Sequence, residues 1–273
     1  MTMNAITADD VRPSQILRHG AYVCLRLAEG GARAAAAAAV PALVGRLRLA
    51  NEFDVRDGHP AEAVAFLRRL GATPGPRADD GLLHADAVVH VAAATEAPVA
   101  EFCAGLARLL GPAARTQVLG GVVRPMLYTG NLMHNFAYAH RVIQQPGPVM
   151  PNAFLVPMSK TAAWWAKDWM ERHTYFLPRY DDAGRMVNEG HALASAAGVP
   201  CLLRRTYKYP AEPAPDDAYD FVTYFECADA DVATFHEVCA ALRDVRRNPE
   251  WSFVREGPTW HGRRVATWPE LCE

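Results

Sequence analysis

A histidine and an arginine 13 positions apart are the residues of this chain best placed for chemistry. His191 stands at the end of a predicted helix, and Arg204 and Arg205 open the strand predicted to follow it. Side chains alternate along a strand, so we expect one of the two arginines to face inward. An inward guanidinium costs free energy unless it meets an anion, which suits binding an oxyanion or stabilising developing charge. The alternative is a solvated arginine pair at a sheet edge.

The chain has ten histidines, and most of them are expected to be ordinary surface or core residues. A histidine that ligates haem iron needs apolar surroundings and a hydrogen-bond partner on its other ring nitrogen. Small apolar residues follow His191, at positions 192, 193, 196, 197 and 199. His173 also follows a glutamate, Glu171, and is a competing ligand. For His191 the alternative is a helix-end histidine stabilised by the helix dipole.

Two adjacent tryptophans, Trp164 and Trp165, open another predicted helix. They cannot both face one core direction, so one could line a pocket and donate its indole N–H to a carboxylate. The alternative is that they pack on both sides of a hinge. Arg124 and Tyr128, at the end of the last strand predicted for the first half, offer further partners for a carboxylate.

Composition narrows the class of protein. The chain has 273 residues, 51% of them hydrophobic, and a net charge of −2, so nothing draws it electrostatically to nucleic acid or an anionic membrane. Residues 1–15 contain two aspartates and no apolar core, which predicts neither a signal peptide nor an anchor. The apolar run 34–44 is too short to span a bilayer. We expect a cytoplasmic protein with a small-molecule substrate.

The hydrophobic pattern alternates between short strands and helices. We predict strands at 20–27, 87–91, 117–128, 154–158, 202–209, 219–226 and 252–255. We predict helices at 29–47, 60–70, 97–110, 160–170, 183–197 and 231–247.

An internal repeat indicates how these elements are arranged. Residues 85–109 match residues 219–243, and both read strand, then helix. A duplicated unit of this kind predicts an α+β fold of two tandem ferredoxin-like modules that form a dimeric α+β barrel-type core. We place a flexible lead at 1–17, one module at 18–148 and a second module at 149–273.

Several motifs together resemble the chlorite dismutase family of haem b proteins. They are residues 154–165, which end in Trp164-Trp165, residues 186–191, residues 204–207 and residues 220–226. The resemblance is strong over 150–265 and fainter over 18–130. It implies haem b (iron protoporphyrin IX), the paired ferredoxin-like fold, and assembly into a homo-oligomer, either a pentamer or a dimer.

The resemblance also implies roles for individual residues. His191 would be the proximal iron ligand and Arg204 the distal arginine, because the family separates these two by the same 13 positions. Trp164 and Trp165 would lie at the haem edge, and Tyr128, with Arg124 nearby, would bind a propionate. The family supports its histidine with a glutamate after the last long helix, but that position falls on Arg247. Glu250 reaches that position only if the alignment is shifted.

Departures from the family pattern bear on the substrate. About a dozen extra residues, 168–181, precede His191 and contain His173, and the linker 130–148 is enlarged. We therefore expect a haem-dependent oxidoreductase acting on a small oxygen- or nitrogen-bearing molecule, with an altered substrate. Alternatives are chlorite dismutase proper, coproheme decarboxylase and a non-enzymatic haem-binding protein. Arg204 argues against the decarboxylase, because that branch of the family carries an uncharged residue there.

Overall fold

The computed structural model describes residues 19–28, 32–46, 50–51, 62–122 and 150–272. Within these ranges, side chains at 32–38, 50–51, 62–63, 203–205 and 272 are not described. The predicted lead at 1–17 and the predicted module boundary at 148 lie outside the described residues. No helix in the described ranges combines the length and apolar character needed to cross a membrane.

Twelve strands and eight α-helices occur in the described ranges. The strands are β1 (His19–Leu27), β2 (Ala50–Asn51), β3 (Glu62–Thr73), β4 (Ala87–Ala93), β5 (Ala114–Val122), β6 (Asn152–Lys160), β7 (Arg179–Tyr180), β8 (Met186–Asn188), β9 (Leu203–Lys208), β10 (Phe221–Cys227), β11 (Val254–Glu256) and β12 (Thr259–Val265). The helices are α1 (Ala32–Arg46), α2 (Asp80–Leu83), α3 (Glu96–Leu110), α4 (Ala162–Trp165), α5 (Trp169–Thr174), α6 (Gly190–Ala194), α7 (Val232–Arg243) and α8 (Trp268–Cys272).

Eight of the strands close into an antiparallel barrel. The order around it is β10-β9-β5-β1-β4-β3-β12-β6, and β6 pairs with β10 to complete the circuit. Outside the eight barrel strands, β11 pairs with β6 and β2 pairs with β3. Strands β7 and β8 form a separate hairpin. Closure leaves no long unpaired edge on the eight barrel strands.

Each half of the barrel has the ferredoxin-like order predicted from the sequence. In the first half β1, β3, β4 and β5 lie in the order β5-β1-β4-β3, and in the second β6, β9, β10 and β12 lie in the order β9-β10-β6-β12. The repeated sequence unit corresponds to β4 with α3 and to β10 with α7, which hold equivalent places in the two halves. The predicted α+β fold of two ferredoxin-like modules that share one barrel is confirmed.

Several barrel strands, namely β1, β4, β6 and β10, are buried on both faces over most of their length. One face of the sheet fills the barrel interior, where Tyr22, Tyr207, Tyr224 and Trp260 pack together. The other face is covered by α1, α3 and α8 over the first half. Over the second half it is covered by α7, and Phe235 of that helix stacks on Phe154 with ring centroids 3.7 Å apart. Strands buried on both faces read as continuous apolar runs, without alternation.

That double burial explains one wrong prediction. Residues 60–70 were predicted as a helix, but residues 62–73 form β3 between β4 and β12. Val64, Ala65, Phe66 and Leu67 are all buried, two toward each face. A continuous apolar run followed by Arg68 and Arg69 imitates a helical pattern when alternation is lost.

Three further predictions are wrong for segments in the second half of the chain. The helix predicted at 160–170 is split into α4 and α5, and the helix predicted at 183–197 is replaced by β8, α6 and a 3₁₀ turn. The strand predicted to close the chain, 252–255, is mainly the short β11, and the closing barrel strand is β12. Gly184 and Gly190, both with positive φ, break the stretch that looked helical.

Candidate functional site

His191 lies in the first turn of α6, not at the end of a helix as predicted. Its backbone N–H donates to the carbonyl of Tyr175 at 3.1 Å, which ties α6 to the segment after α5. Gly190 has φ +64°, and a Cβ at that position would lie 2.5 Å from the carbonyl oxygen of Leu177. Only glycine fits this close approach, so Gly190 sets the direction in which α6 presents His191.

The imidazole of His191 is held by a buried carboxylate. Its Nδ1 and Oε2 of Glu250 are 2.8 Å apart, and Phe176 stacks on the ring with centroids 4.8 Å apart. Because a carboxylate accepts, Nδ1 carries the proton and donates. The nitrogen left to ligate a metal is then Nε2, which is the arrangement that carboxylate–histidine–metal sites use.

Lys160 balances the negative charge of the carboxylate that holds His191. Its ammonium forms an ion pair with Oε1 of Glu250, and both side chains are at most 4% exposed. Burial would raise the pKa of the Glu250 carboxyl, but Lys160 and His191 outweigh it and lower that pKa to about 2. Burial lowers the pKa of the Lys160 ammonium despite the opposing charges of Glu250 and Asp220. Trp164 covers the ammonium, with its ring centroid 4.3 Å from Nζ.

The turn after α7 brings Glu250 to His191. The helix ends at Arg243, and residues 249–253 form a 3₁₀ turn. The carbonyl of Arg247 accepts from the backbone N–H groups of Glu189 and Gly190. The Arg247 guanidinium donates to both oxygens of Glu189 at 2.8 and 2.9 Å. These contacts fasten the turn to the start of α6, so the side chain of Glu250 lies against His191.

The two tryptophans of α4 face different surroundings. Trp164 is 1% exposed and lies over Lys160. Trp165 instead donates its indole N–H to Oδ2 of Asp220 at 3.3 Å. This matches the sequence-based expectation that an indole N–H could serve a carboxylate. Only Trp164 contacts the group formed by His191, Glu250 and Lys160.

The structure describes less of the surroundings of the remaining predicted site residues. His173 lies on α5, and its Nδ1 is buried with no hydrogen-bond partner among the described residues. The backbone of Arg204 belongs to β9, in register with Phe225 of β10, but its side chain is not described. Arg124 and Tyr128 lie outside the described residues.

Lys160 and Asp220 have no role in the sequence-based site, although both belong to the motifs quoted for the resemblance. Strand alternation is the sequence pattern that could have identified Lys160. It follows Phe154, Val156 and Met158 on the β6 face that α7 covers. A lysine at the end of a strand is ordinarily expected to be in solvent, so its burial beside Glu250 was not anticipated.

These residues fit a haem by the chemistry of their donors. An imidazole whose Nδ1 is engaged by a carboxylate would present Nε2 to iron, and the Lys160 ammonium keeps the buried carboxylate ionised. On the β-sheet face covered by α7, Thr206 and Thr223 are paired across β9 and β10. Their hydroxyl oxygens are buried with no hydrogen-bond partner among the described residues. Orphaned buried hydroxyls are suited to a polar ligand.

Comparison with solved structures places the fold. A doubly substituted chlorite dismutase from Candidatus Nitrospira defluvii superposes with a TM-score of 0.63 at 20% identity, covering 93% of each chain. A singly substituted variant of that enzyme in complex with cyanide gives 0.63 at 21% identity, with 98% of each chain covered. The same enzyme in complex with imidazole gives 0.61 at 22% identity, covering 93% of each chain. No family model and no curated protein matches the sequence.

The described chain therefore has the fold of chlorite dismutase structures over nearly its whole length. At about one residue in five identical, this likeness establishes the architecture and leaves the chemistry to the residues of the site.

Proposed function

We propose that this protein is a haem b-dependent oxidoreductase related to the chlorite dismutases, in which His191 would hold the iron and Arg204 would hold the anionic substrate. Three independent features support the proposal: the shared fold, the 13-residue spacing of His191 and Arg204, and the carboxylate behind His191. The observation that carries it is the hydrogen bond between His191 and Glu250, which Lys160 supports.

The residues of this chain would divide the work as follows. His191 offers Nε2 to the iron. Glu250 holds the proton on Nδ1 and gives the imidazole anionic character, which makes it a stronger donor to ferric iron. Lys160 keeps Glu250 ionised. Because its ammonium draws negative charge toward Oε1, it also limits how much electron density the imidazole of His191 donates to the iron. The haem, when bound, supplies the one- and two-electron chemistry that no side chain here provides.

Arg204 is proposed to hold the anionic substrate or leaving group. Its register partner is Phe225, and Phe225 is paired in turn with Phe154. Phe154 and Phe225 belong to the apolar cluster beneath α7, together with Phe235. Strand alternation is expected to direct position 204 toward the same side. An arginine in such apolar surroundings is suited to an oxyanion.

The substrate is proposed to be a small anion other than chlorite, or chlorite itself with altered efficiency. The extra segment, 168–181, supports the first choice because it builds α5 and β7, and β7 pairs with β8 shortly before α6. It presents four large exposed apolar side chains, those of Trp169, Met170, Leu177 and Tyr180, and the adjoining β8 presents Met186 and Val187. A homo-oligomer and a cytoplasmic location remain proposals.

The proposal is tested by titrating hemin into the purified protein and recording the Soret band. Saturable uptake at one haem per chain, with a spectrum typical of histidine ligation, is expected. Chlorite and peroxide are then supplied while oxygen release and oxidation of a reporter dye are measured. Arg204→Ala should lower turnover at least 10-fold, whereas Arg205→Ala on the same strand should not. Failure to take up haem would reject the proposal.

A further inference from the structure

A cavity of about 540 Å³ lies where the end of β6 meets the start of β10. Its wall includes Ser159 and Asp220 from the ends of β6 and β10, Arg77 from the loop after β3, and Arg255 of β11. The hydroxyl of Ser159 accepts from Arg77 at 2.8 Å, whereas the ammonium of the next residue, Lys160, meets Glu250. Alternation along β6 thus directs Ser159 and Lys160 to opposite faces of the strand, although Lys160 also contributes to the cavity wall.

Arg77 is fixed in place by neutral groups alone. Its Nη1 donates to Ser159 and to the carbonyl of Ala218, and its Nη2 donates to the carbonyl of Asp216. The guanidinium also lies 4.0 Å from the ring centroid of Tyr219. Among the described residues, no carboxylate lies within ion-pair distance of it. A partly buried, oriented and uncompensated cation is suited to an anion from outside the chain.

The unused edge of Arg77 is the one that this protein elsewhere offers to carboxylates. Arg243 donates hydrogen bonds from Nε and Nη2 to the carboxylate of Glu256, and Arg247 donates from the same two nitrogens to the carboxylate of Glu189. The three bonds of Arg77 use both N–H groups of Nη1 and one of Nη2. Nε–H and one N–H of Nη2 therefore remain, and the Nε and Nη2 edge of a guanidinium is suited to the two oxygens of a carboxylate.

Arg255 adds a second cation to the same wall. It is paired with Ser159 in register, is exposed, and forms no ion pair with any described residue. The nearby acid Asp220 is already satisfied, because its oxygens accept from Trp165 and from the backbone N–H groups of Lys160 and Ala214. That carboxylate is consequently a weak competitor for the two arginines.

We propose that this cavity binds a small organic carboxylate whose apolar body is flat. The Nε and Nη2 fork of Arg77 takes the carboxylate, and Arg255 approaches it from the open side. The wall also includes the apolar side chains of Pro76, Pro213, Pro215 and Trp165, and it carries two further charged residues, Lys160 and Asp216. Its volume lies within the ordinary range for small-molecule sites, roughly 300–1,000 Å³. This site does not depend on the haem proposal.

The test is a calorimetric titration of the full-length protein with benzoate, and with benzamide as the matched uncharged probe. Benzoate should bind one site per chain and benzamide should bind at least 10-fold more weakly. Arg255→Gln should lower the affinity for benzoate roughly 10-fold, which is the loss expected when one charged hydrogen bond is removed. Arg26→Gln, which alters an exposed arginine on β1, should leave binding unchanged.

Arg77→Lys provides a second check, because it keeps the charge and removes the fork. It should weaken benzoate by roughly 10-fold or more while a urea titration reports whether the fold is retained. Equal affinity for benzoate and benzamide, or binding of benzoate that is insensitive to Arg255→Gln, would overturn the proposal. The second result would indicate that the anion binds elsewhere, including at a haem iron.

Discussion

Nδ1 of His191 lies 2.8 Å from Oε2 of Glu250, although 59 residues separate the two in sequence. The carboxylate is buried, yet the pKa of Glu250 is lowered to about 2 because Lys160 and His191 outweigh the effect of burial. The protein therefore maintains an ionised carboxylate behind one particular histidine. Maintaining such a charge in the interior is costly, and the proposed role of His191 as an iron ligand would account for it.

Replacing Glu250 by Gln should weaken iron binding through His191. The amide keeps the shape and a hydrogen-bond acceptor but removes the negative charge that makes the imidazole a strong donor. We expect haem affinity to fall on the order of 10-fold and the ferric–ferrous midpoint potential to rise. Hemin titration and spectroelectrochemistry measure the two effects. Glu237→Gln, on the exposed side of α7, is the matched control, and an equal change in both variants would argue against this role.

Replacing Lys160 by Met should destabilise the fold. The substitution leaves the Glu250 carboxylate buried without its ammonium partner, at a cost of about 3 kcal/mol. Removing the carboxylate as well, in Lys160→Met with Glu250→Leu, should recover most of that loss. Urea unfolding of the single and double variants measures the coupling. Independent, additive losses would show that the ion pair is not the stabilising unit.

Gly190 and Gly184 form a matched pair for testing how α6 is positioned. Both have positive φ, but a Cβ at 184 meets nothing within 4 Å, whereas a Cβ at 190 collides with the carbonyl of Leu177. Gly184→Ala should cost about 1 kcal/mol for the backbone conformation alone. Gly190→Ala should cost more in urea unfolding and should also reduce haem uptake, because it displaces His191. Equal losses in stability would contradict the close packing at 190.

His261 should make stability depend on pH near neutrality. Burial, and then the charges of His236 and Arg263, lower the pKa of its ring, which stacks on Phe154. In the unfolded chain the pKa is about 6.5, so below that pH the unfolded state binds more protons. The free energy of unfolding should therefore fall as the pH drops from 7.5 to 5.5. His261→Gln should flatten part of this slope in urea titrations, and His84→Gln, at an exposed position, should not.

The sequence was sufficient to predict the architecture because the two halves repeat the same order of strand and helix. Assigning β3 required knowledge of both faces of the sheet. A strand buried between the barrel interior and a helical layer loses its alternation, and residues 62–73 then resemble a helix. The closing strand β12 was missed for a related reason, since Gly262 and charged residues interrupt its apolar pattern.

The candidate site was predictable only in part. Spacing and resemblance selected His191, but its partner depended on where α7 ends. A helix continuing to 247 places Arg247 where the family has its glutamate, whereas the helix ends at Arg243 and a turn carries Glu250 to the histidine. Strand alternation places Lys160 on the face of β6 that α7 covers, but its burial beside Glu250 is not visible in the sequence.

The most direct test of the central claim is haem binding by His191→Ala compared with His173→Ala. Both histidines follow a glutamate within two positions, but only His191 has a carboxylate on Nδ1 among the described residues. After reconstitution with hemin, His191→Ala should lose the histidine-ligated Soret spectrum and most of its haem, while His173→Ala should retain both. Retention of that spectrum in His191→Ala, with its loss in His173→Ala, would contradict the assignment.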